Sequence, residues 1–509
     1  MKENNIKKIG VKLFLAPFVF ALAGCFGGMR DCEEAAYDGY YNGHYKYKTE
    51  TDEGVKVDTN SYTEIKENDF IDTSKNNKSS FSLCSSTGAY TNIKNLIDYD
   101  RIPDKDSVII EQMLNYFSYS YSFNGDEALK IFNEVSDCPW NNEHKLASIA
   151  LIAKDAEVIS GSCNFVFLID VSGSMSDQMS KVKAAFNALV NNMGDNDRVS
   201  IVTYANGVST VLDGAGSNEK QLILDKVNGL IASGGTNGSG GIQRAYEIAS
   251  KHFISGGNNR IILATDGDFN IGISNQSDLE SFISSKRDSA VYLSILGFGM
   301  GNNHGNTAET LAKNGNGNVF YIDNEDTARK LFEQGLNSVF EVVAKDVKTM
   351  VTFNANTVAS YRLLGYENAL LTEDDYYNTQ KDAGEVLSGD VTVAMYELEL
   401  KEDADLTGSL FSIEAHYKDP KTSEDKEVAN DVAVYNSNRS EDFAFQALVV
   451  EFGLILRDSK YKGNSNFDYI IDTYENGLSV NCKDSEKDDF CQLVKRAKDL
   501  FRRRNQQNQ

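Results

Sequence analysis

Residues 164–176 read NFVFLIDVSGSMS, and this sequence is the strongest indication of the fold class. Residues 164–170 form an almost continuous apolar run, which predicts a strand buried on both of its faces. Strands of this kind occur in parallel sheets that are covered by helices on both sides. The run ends at Asp170, and a glycine-containing turn then leads into a predicted helix over residues 176–193. This strand–turn–helix unit predicts an α/β domain.

The same alternation of strand and helix continues to residue 342. Because a single residue separates strands 198–205 and 207–213, these two strands should pair antiparallel. The sequence therefore predicts a doubly wound, mainly parallel six-stranded sheet over residues 161–342. The remaining strands are expected at 260–267, 291–299 and 318–323, with further helices at 218–230, 239–254, 277–287 and 325–341.

Short oxygen-bearing side chains follow the end of the first strand. Asp170, Ser172 and Ser174 alternate along the chain, so their side chains can point to the same side. Gly173 leaves the backbone free to make a tight turn. Open α/β sheets bind ligands at this edge, beyond the carboxyl ends of their strands.

Two other loops should reach the same edge of the sheet. Thr236 lies in the segment 233–237 before a predicted helix, and Asp266 ends the strand 260–267. With the first loop they offer two carboxylates and three hydroxyls, an all-oxygen set that suits Mg²⁺ or Mn²⁺ better than Ca²⁺. These residues leave the charge and the coordination shell of a dication incomplete, so water or an incoming carboxylate can take an open position.

Three neighbouring residues, Gly235, Asn237 and Asp268, are candidates for a second layer around the ion. An alternative interpretation is that Ser172 and Ser174 only cap the helix that follows them. Capping is compatible with metal binding, but it does not explain the oxygen-bearing residues of the other two loops.

The motifs DVSGS, GGT and TDG, in this order, resemble the metal-ion-dependent adhesion site (MIDAS) of von Willebrand factor A (VWA) domains. The resemblance implies that the serines and the threonine hold the ion, that the aspartates bind directly or through water, and that a protein ligand supplies a carboxylate. Stretches such as IPDKDSVIIEQMLNYFSYSY and FAFQALVVEFGLILRDSKYKGN resemble a bacterial family of VWA lipoproteins, over roughly residues 68–470. One departure is SSTGAY at 85–90, where relatives usually carry an acidic residue and a serine.

The start of the chain has the pattern of an exported lipoprotein. Lysines precede an apolar run of 11 residues, 13–23, and LAGC ends at Cys25. This resembles a bacterial lipoprotein box. We expect a signal peptide at 1–24 and a lipid on Cys25 that anchors the chain to the cell envelope, at the outer membrane if the host has two membranes. An ordinary signal peptide with an incidental cysteine is the alternative.

The composition of the other segments predicts their organisation. We expect a lipidated flexible tether at 25–78, a family-specific N-terminal segment at 79–160, a β-rich domain at 343–438 and a helical segment at 439–509. Residues 79–160 are too few to form a large core alone, and the strands predicted in 343–438 need a partner to cover them, so we expect the two flanks to form one β-rich module. Six cysteines besides Cys25 permit disulfides, and free buried cysteines are the alternative.

The net charge and the absence of catalytic motifs argue against two classes of function, nucleic-acid binding and hydrolysis. A formal charge of −25 and a pI near 4.7 argue against a nucleic-acid partner. The sequence has no HExxH, GxSxG or P-loop motif, which favours binding over hydrolysis. We expect a non-enzymatic protein that uses its metal in adhesion or protein–protein interaction. An assembly factor or scaffold for an envelope complex is the alternative, and a metal-dependent hydrolase is less favoured.

Overall fold

The computed structural model describes residues 56–57, 62, 64–123, 125–155, 162–235, 240–267, 276–286, 289–299, 302–333, 340–379, 383–420, 422–430 and 432–507. The predicted signal peptide and Cys25 lie outside these residues. None of the helices within the described ranges combines the length and apolar character that crossing a bilayer requires.

Strands and helices alternate irregularly along the chain, and their bounds within the described residues are as follows. The strands are β1 (Lys56–Val57), β2 (Ile71–Asp72), β3 (Lys78–Ser82), β4 (Arg101–Ile102), β5 (Leu129–Asp137), β6 (His144–Ala153), β7 (Cys163–Asp170), β8 (Arg198–Tyr204), β9 (Val208–Gly216), β10 (Asn258–Thr265), β11 (Val291–Phe298), β12 (Val319–Ile322), β13 (Val342–Phe353), β14 (Val358–Leu364), β15 (Leu370–Leu371), β16 (Gly384–Leu387), β17 (Val391–Leu400), β18 (Phe411–Lys418) and β19 (Asp425–Asn430). The helices are α1 (Gly88–Asp98), α2 (Ile110–Leu114), α3 (Met179–Asn191), α4 (Lys220–Asn228), α5 (Gly241–Lys251), α6 (Gln276–Lys286), α7 (Asn302–Asn314), α8 (Glu325–Glu333), α9 (Glu373–Tyr377), α10 (Glu441–Leu456), α11 (Phe467–Asp472) and α12 (Ser485–Gln507).

One sheet has the strand order β12-β11-β10-β7-β8-β9. Strand β9 runs antiparallel to β8, and the other neighbours are parallel, which confirms the predicted doubly wound sheet. Phe165 and Phe167 of β7 pack in one helix-covered layer, and Val166 and Leu168 pack in the other. Burial on both faces explains why β7 is apolar throughout. Helix α7 was not predicted, because its sequence NNHGNTAETLAKN has few apolar residues.

The segments before and after this sheet form shared sheets. One has the order β15-β3-β13-β18-β19 with β16 beside β13, and the other has the order β2-β14-β17-β6-β5. Strand β3 therefore pairs with β13, and β6 pairs with β17, across the whole length of the VWA-like sequence. Their inner faces share one core, so the predicted joint module is confirmed.

A helical layer covers the outer face of the β2-β14-β17-β6-β5 sheet. Helix α10 is buried along almost its whole length and packs with α1, α2, α11 and α12. Trp140 lies in the same core and is 1% exposed, as expected for a core anchor. Helix α12 buries the predicted face, which contains Phe490, Leu493, Val494, Ala497 and Leu500, with Phe501 packed against it.

The prediction of a flexible tether up to residue 78 is wrong for residues 64–78. The backbone N–H of Ile65 donates to Asp106 Oδ1 at 3.0 Å, and Asn68 Nδ2 donates to two carbonyl oxygens of the module. Strands β2 and β3 are also part of its sheets. Polar side chains attach this segment to the module's backbone, so its low apolar content did not indicate disorder.

The structure distinguishes between disulfides and free cysteines for the described residues. Cys84, Cys138, Cys482 and Cys491 are free thiols. Burial raises the pKa of the Cys138 thiol, which makes it a poor nucleophile. Cys138, Cys482 and Cys491 pack in one hydrophobic core, and Cys84 packs against another. Cys163 is buried in a core of the six-stranded, mainly parallel sheet, and Cys32 lies outside the described residues.

We predict that Glu451→Gln stabilises the protein at pH 8.5 and has little effect at pH 5. Glu451 is 1% exposed on α10, and its Oε2 lacks a hydrogen-bond partner within normal geometry. Burial raises its pKa from 4.5 to about 8. The folded protein therefore holds this proton more tightly than the unfolded chain, and the free energy of unfolding falls as the pH rises from 4.5 to about 8. An amide stays neutral, and urea unfolding at pH 8.5 should show a gain of about 1–2 kcal/mol.

The control for this prediction is Glu247→Gln on α5, where the side chain is exposed beside Arg244. Its effect should be small at both pH values. An equal effect of Glu451→Gln at pH 5 and pH 8.5 would contradict the buried, protonated carboxyl.

Candidate functional site

The carboxylate of Asp170 is buried at the end of the central strand β7. The side chain is 0% exposed, and its Oδ1 accepts a hydrogen bond from the backbone N–H of Ser172 at 2.7 Å. Ser172 Oγ and Ser174 Oγ are 3.0 Å apart. The first motif therefore brings its three oxygen-bearing side chains together, as its alternating pattern predicted. Ser172 is buried, whereas Ser174 is exposed, so the cluster opens to solvent at Ser174.

Helix capping does not account for the first motif. A 3₁₀ helix begins at Gly173, and Ser172 precedes it at the N-cap position, but its side chain makes no capping hydrogen bond. The hydroxyl of Ser172 faces that of Ser174 instead. The capping alternative is therefore wrong for Ser172.

The glycine loop that precedes Thr236 is bonded to the first motif. Ser233 N–H donates to the carbonyl of Val171 at 2.7 Å, and Gly173 N–H donates to the carbonyl of Gly234 at 3.0 Å. Gly235 N–H donates to Asn206 Oδ1 at 2.8 Å. These bonds hold the chain beside the first motif up to Gly235. Thr236 and Asn237 lie outside the described residues.

Asp266 reaches the same edge from the neighbouring strand. Strands β10 and β7 are parallel, with Ala264 opposite Ile169, so Asp266 follows its strand at nearly the level of Asp170. The turn after it is held by a hydrogen bond from Gly267 N–H to Thr265 Oγ1 at 3.1 Å. Asp268 lies outside the described residues.

The two carboxylates make this edge electrostatically unfavourable without a cation. Burial, and to a lesser extent the charge of Asp266, raises the pKa of Asp170 to about 6. Its Oδ2 is buried and lacks a partner within normal hydrogen-bond geometry, and the buried hydroxyl of Tyr204 lies beside the same carboxyl group. A buried acceptor beside a second carboxylate and two hydroxyls fits a hard divalent cation.

Two further residues of this edge, Tyr204 and Asn206, were not predicted from the sequence. Tyr204 is directly opposite Asp170 at the end of β8, and its buried hydroxyl has no hydrogen-bond partner within normal geometry. Burial, and then the charge of Asp170, raises its pKa well above 10. The predicted parallel pairing of the first two strands was the signal that could have found Tyr204. Asn206 had no such signal, because its contact with Gly235 is long-range.

Three parts of the chain match known sequence families. Residues 164–334 match the family described as von Willebrand factor type A domain, residues 56–148 match von Willebrand factor, and residues 338–500 match the C-terminal part of YfbK. The chain is 32% identical over 441 residues to "Uncharacterized protein YfbK" of Escherichia coli (strain K12), covering 81% of this chain and 76% of the relative. A VWA domain indicates a general role in protein–protein interaction or adhesion.

Solved structures with a similar fold include two VWA proteins. One is a von Willebrand factor type A protein from Catenulispora acidiphila, with 17% identity, a TM-score of 0.33, and coverage of 65% of this chain and 81% of that one. The other is the ArnB paralog VWA2 from Sulfolobus acidocaldarius, with 15% identity, a TM-score of 0.33, and coverage of 73% and 98%.

We predict that Gly234→Ala destabilises the site loop, whereas Gly207→Ala does not. Gly234 has φ +93°, and an added Cβ would lie 2.4 Å from Asn206 Nδ2. Strain of this kind costs about 1–3 kcal/mol. Gly207 has no atom within 4 Å of its added Cβ, so it is a matched control from the same edge. Urea unfolding of the two variants measures the difference, and equal stabilities would contradict this loop conformation.

Proposed function

Because this chain belongs to the family of VWA-domain proteins that includes YfbK of Escherichia coli, we propose that its VWA domain binds a divalent cation and captures an acidic protein ligand through it. The proposed ligands are Asp170, Ser172, Ser174, Thr236 and Asp266. The observation that carries the proposal is the buried, unpartnered Oδ2 of Asp170, which lies in the field of Asp266.

The chemistry of the donor set favours Mg²⁺ or Mn²⁺. Carboxylate and hydroxyl oxygens are hard ligands, and Ca²⁺ would normally take more ligands or bidentate ones. When bound, the cation would supply positive charge and an open coordination position for a carboxylate of the partner. The exposed side of the site is at Ser174, so an acidic side chain of a protein would approach there.

Binding is a better account of this site than hydrolysis. A metal-dependent hydrolase needs a general base or a nucleophile positioned near the metal. Three histidines with described side chains have carboxylate partners in other parts of the fold. His144 contacts Glu397 at 2.7 Å, His252 contacts Asp213 at 2.7 Å, and His416 contacts Glu427 at 3.4 Å.

We predict that Asp170→Asn weakens Mg²⁺ and Mn²⁺ binding at least tenfold, because it removes one of the two charges that compensate the cation. The fold should survive, since the variant also removes a buried negative charge, while the amide oxygen of the new side chain can still accept the hydrogen bond from Ser172 N–H. Isothermal titration calorimetry measures the affinity, and Asp213→Asn is the control because Asp213 is bound to Lys251 and His252 away from the site. Unchanged affinity in Asp170→Asn would refute the proposed centre.

We also propose that a lipid on Cys25 anchors the chain to the cell envelope. The proposal rests on the lysine-rich start, the short apolar run and the sequence LAGC. A bacterium fed an alkyne-labelled fatty acid should incorporate the label into the wild-type protein but not into Cys25→Ser, and the variant should leave the membrane fraction. Labelling of Cys25→Ser at the wild-type level would contradict the anchor.

A further inference from the structure

A cleft of about 910 Å³ lies where the VWA domain meets the flanking module, away from the proposed metal centre. One wall is formed by β12 with parts of α7 and α8. The opposite walls are residues 82–87, residues 115–119 with Tyr121, and the segment from β16 to Val391. We call it the junction cleft. Its volume is in the range of ligand pockets, about 300–1,000 Å³.

Two strands that line the junction cleft are edge strands among the described strands. Strand β12 is hydrogen-bonded to β11 alone, and β16 is paired with β13 alone. Since Ile295 N–H donates to the carbonyl of Asn318, the backbone groups of Val319 and Tyr321 face away from β11. Edge strands offer backbone donors and acceptors to an added strand.

The wall of the junction cleft is more acidic than basic. Its described side chains include Asp155, Glu309, Glu385, Asp390 and Glu486, against Lys313 and Lys330. Lys330 is already paired with Glu486 at 2.9 Å. Carboxyl groups outnumber ammonium groups by five to two in this wall, so its composition suits a cationic ligand.

Two of these carboxyls are held by neutral donors. Glu309 accepts hydrogen bonds from Ser86 Oγ at 2.7 Å and from Tyr321 Oη at 3.3 Å, and Asp390 accepts one from Leu387 N–H at 2.9 Å. Burial raises the pKa of both, that of Asp390 to about 7. A cation beside them would offset the cost of burying their charge.

Aromatic side chains complete the wall, and they include Tyr116, Tyr119, Tyr121, Phe123 and Phe320. Aromatic faces attract Lys and Arg, and the aliphatic part of these side chains packs well on rings. The acidic residues, the aromatic rings and the edge strands of the cleft are therefore all suited to an extended polypeptide that carries Lys or Arg.

We propose that the junction cleft binds an extended, basic segment of a partner polypeptide, which adds as a strand to β12 or β16 and places Lys or Arg side chains against Glu309 and Asp390. This contact involves different residues from the metal centre and needs no metal.

The test measures fluorescence anisotropy of a labelled decapeptide of alternating threonine and lysine with the full chain, in 150 mM salt and chelator. We expect saturable binding, and at least tenfold weaker binding to the double variant Glu309→Gln/Asp390→Asn. The control Glu402→Gln/Asp403→Asn removes the same charge from an exposed turn and should bind like the wild type. Thermal unfolding of all variants verifies that they are folded.

Two altered peptides test separately whether binding needs positive charge and whether it needs backbone hydrogen bonds. A peptide with glutamate in place of lysine should not bind, and N-methylation at alternate backbone positions should weaken binding at least tenfold, because it removes strand hydrogen bonds. Absence of saturable binding by the lysine peptide, or equal losses in the cleft and control variants, would overturn the proposal. The metal proposal would be untouched by that result, because every measurement is made in chelator.

Discussion

The burial of β7 on both faces is the constraint on which the rest of the VWA domain depends. Its apolar residues require a helical layer on each side, and this places the strand in the middle of the sheet. Asp170 is then the last residue of the most buried strand, so its carboxylate emerges at an edge where neighbouring strands also end. Burying this carboxylate beside a second one, with only its Oδ1 hydrogen-bonded to the backbone, is unfavourable for the fold alone, and this supports the proposal of a cation.

The VWA domain is inserted within a second folding unit. Strand β6 precedes it and β13 follows it, and both belong to sheets of the flanking module. Neither flank has all the strands of these sheets, so the module needs both parts of the chain to close its core. Contacts between the two units, such as Lys94 with Asp323 at 2.6 Å and Tyr116 with Asp323 at 3.0 Å, join helix α1 and its neighbours to the VWA domain.

The elements predicted most accurately are those whose apolar spacing reflects burial directly. Strand 391–400 matches β17, and the apolar face of the last helix is buried in α12. Predictions failed where hydrogen bonds rather than apolar residues attach a segment. Residues 64–78 are attached to the flanking module by side chains such as Asn68 and Thr73, which donate to its backbone carbonyls. Helix α7 has few apolar residues, so no periodic pattern indicated it.

The amino-acid sequence was sufficient to predict the order of the strands in the VWA domain, all of its helices except α7, the ends of its central strands and the oxygen-bearing residues at those ends. These features are local, because they follow from periodicity of two or 3.6 residues and from turn chemistry. The three-dimensional fold was needed to show that Tyr204 and Asn206 share this edge, that the two flanks contribute strands to common sheets, and that a cleft with acidic walls forms at their junction with the VWA domain. These features depend on contacts between residues far apart in the chain, such as Gly235 with Asn206 and β3 with β13, whose pairing no local pattern specifies.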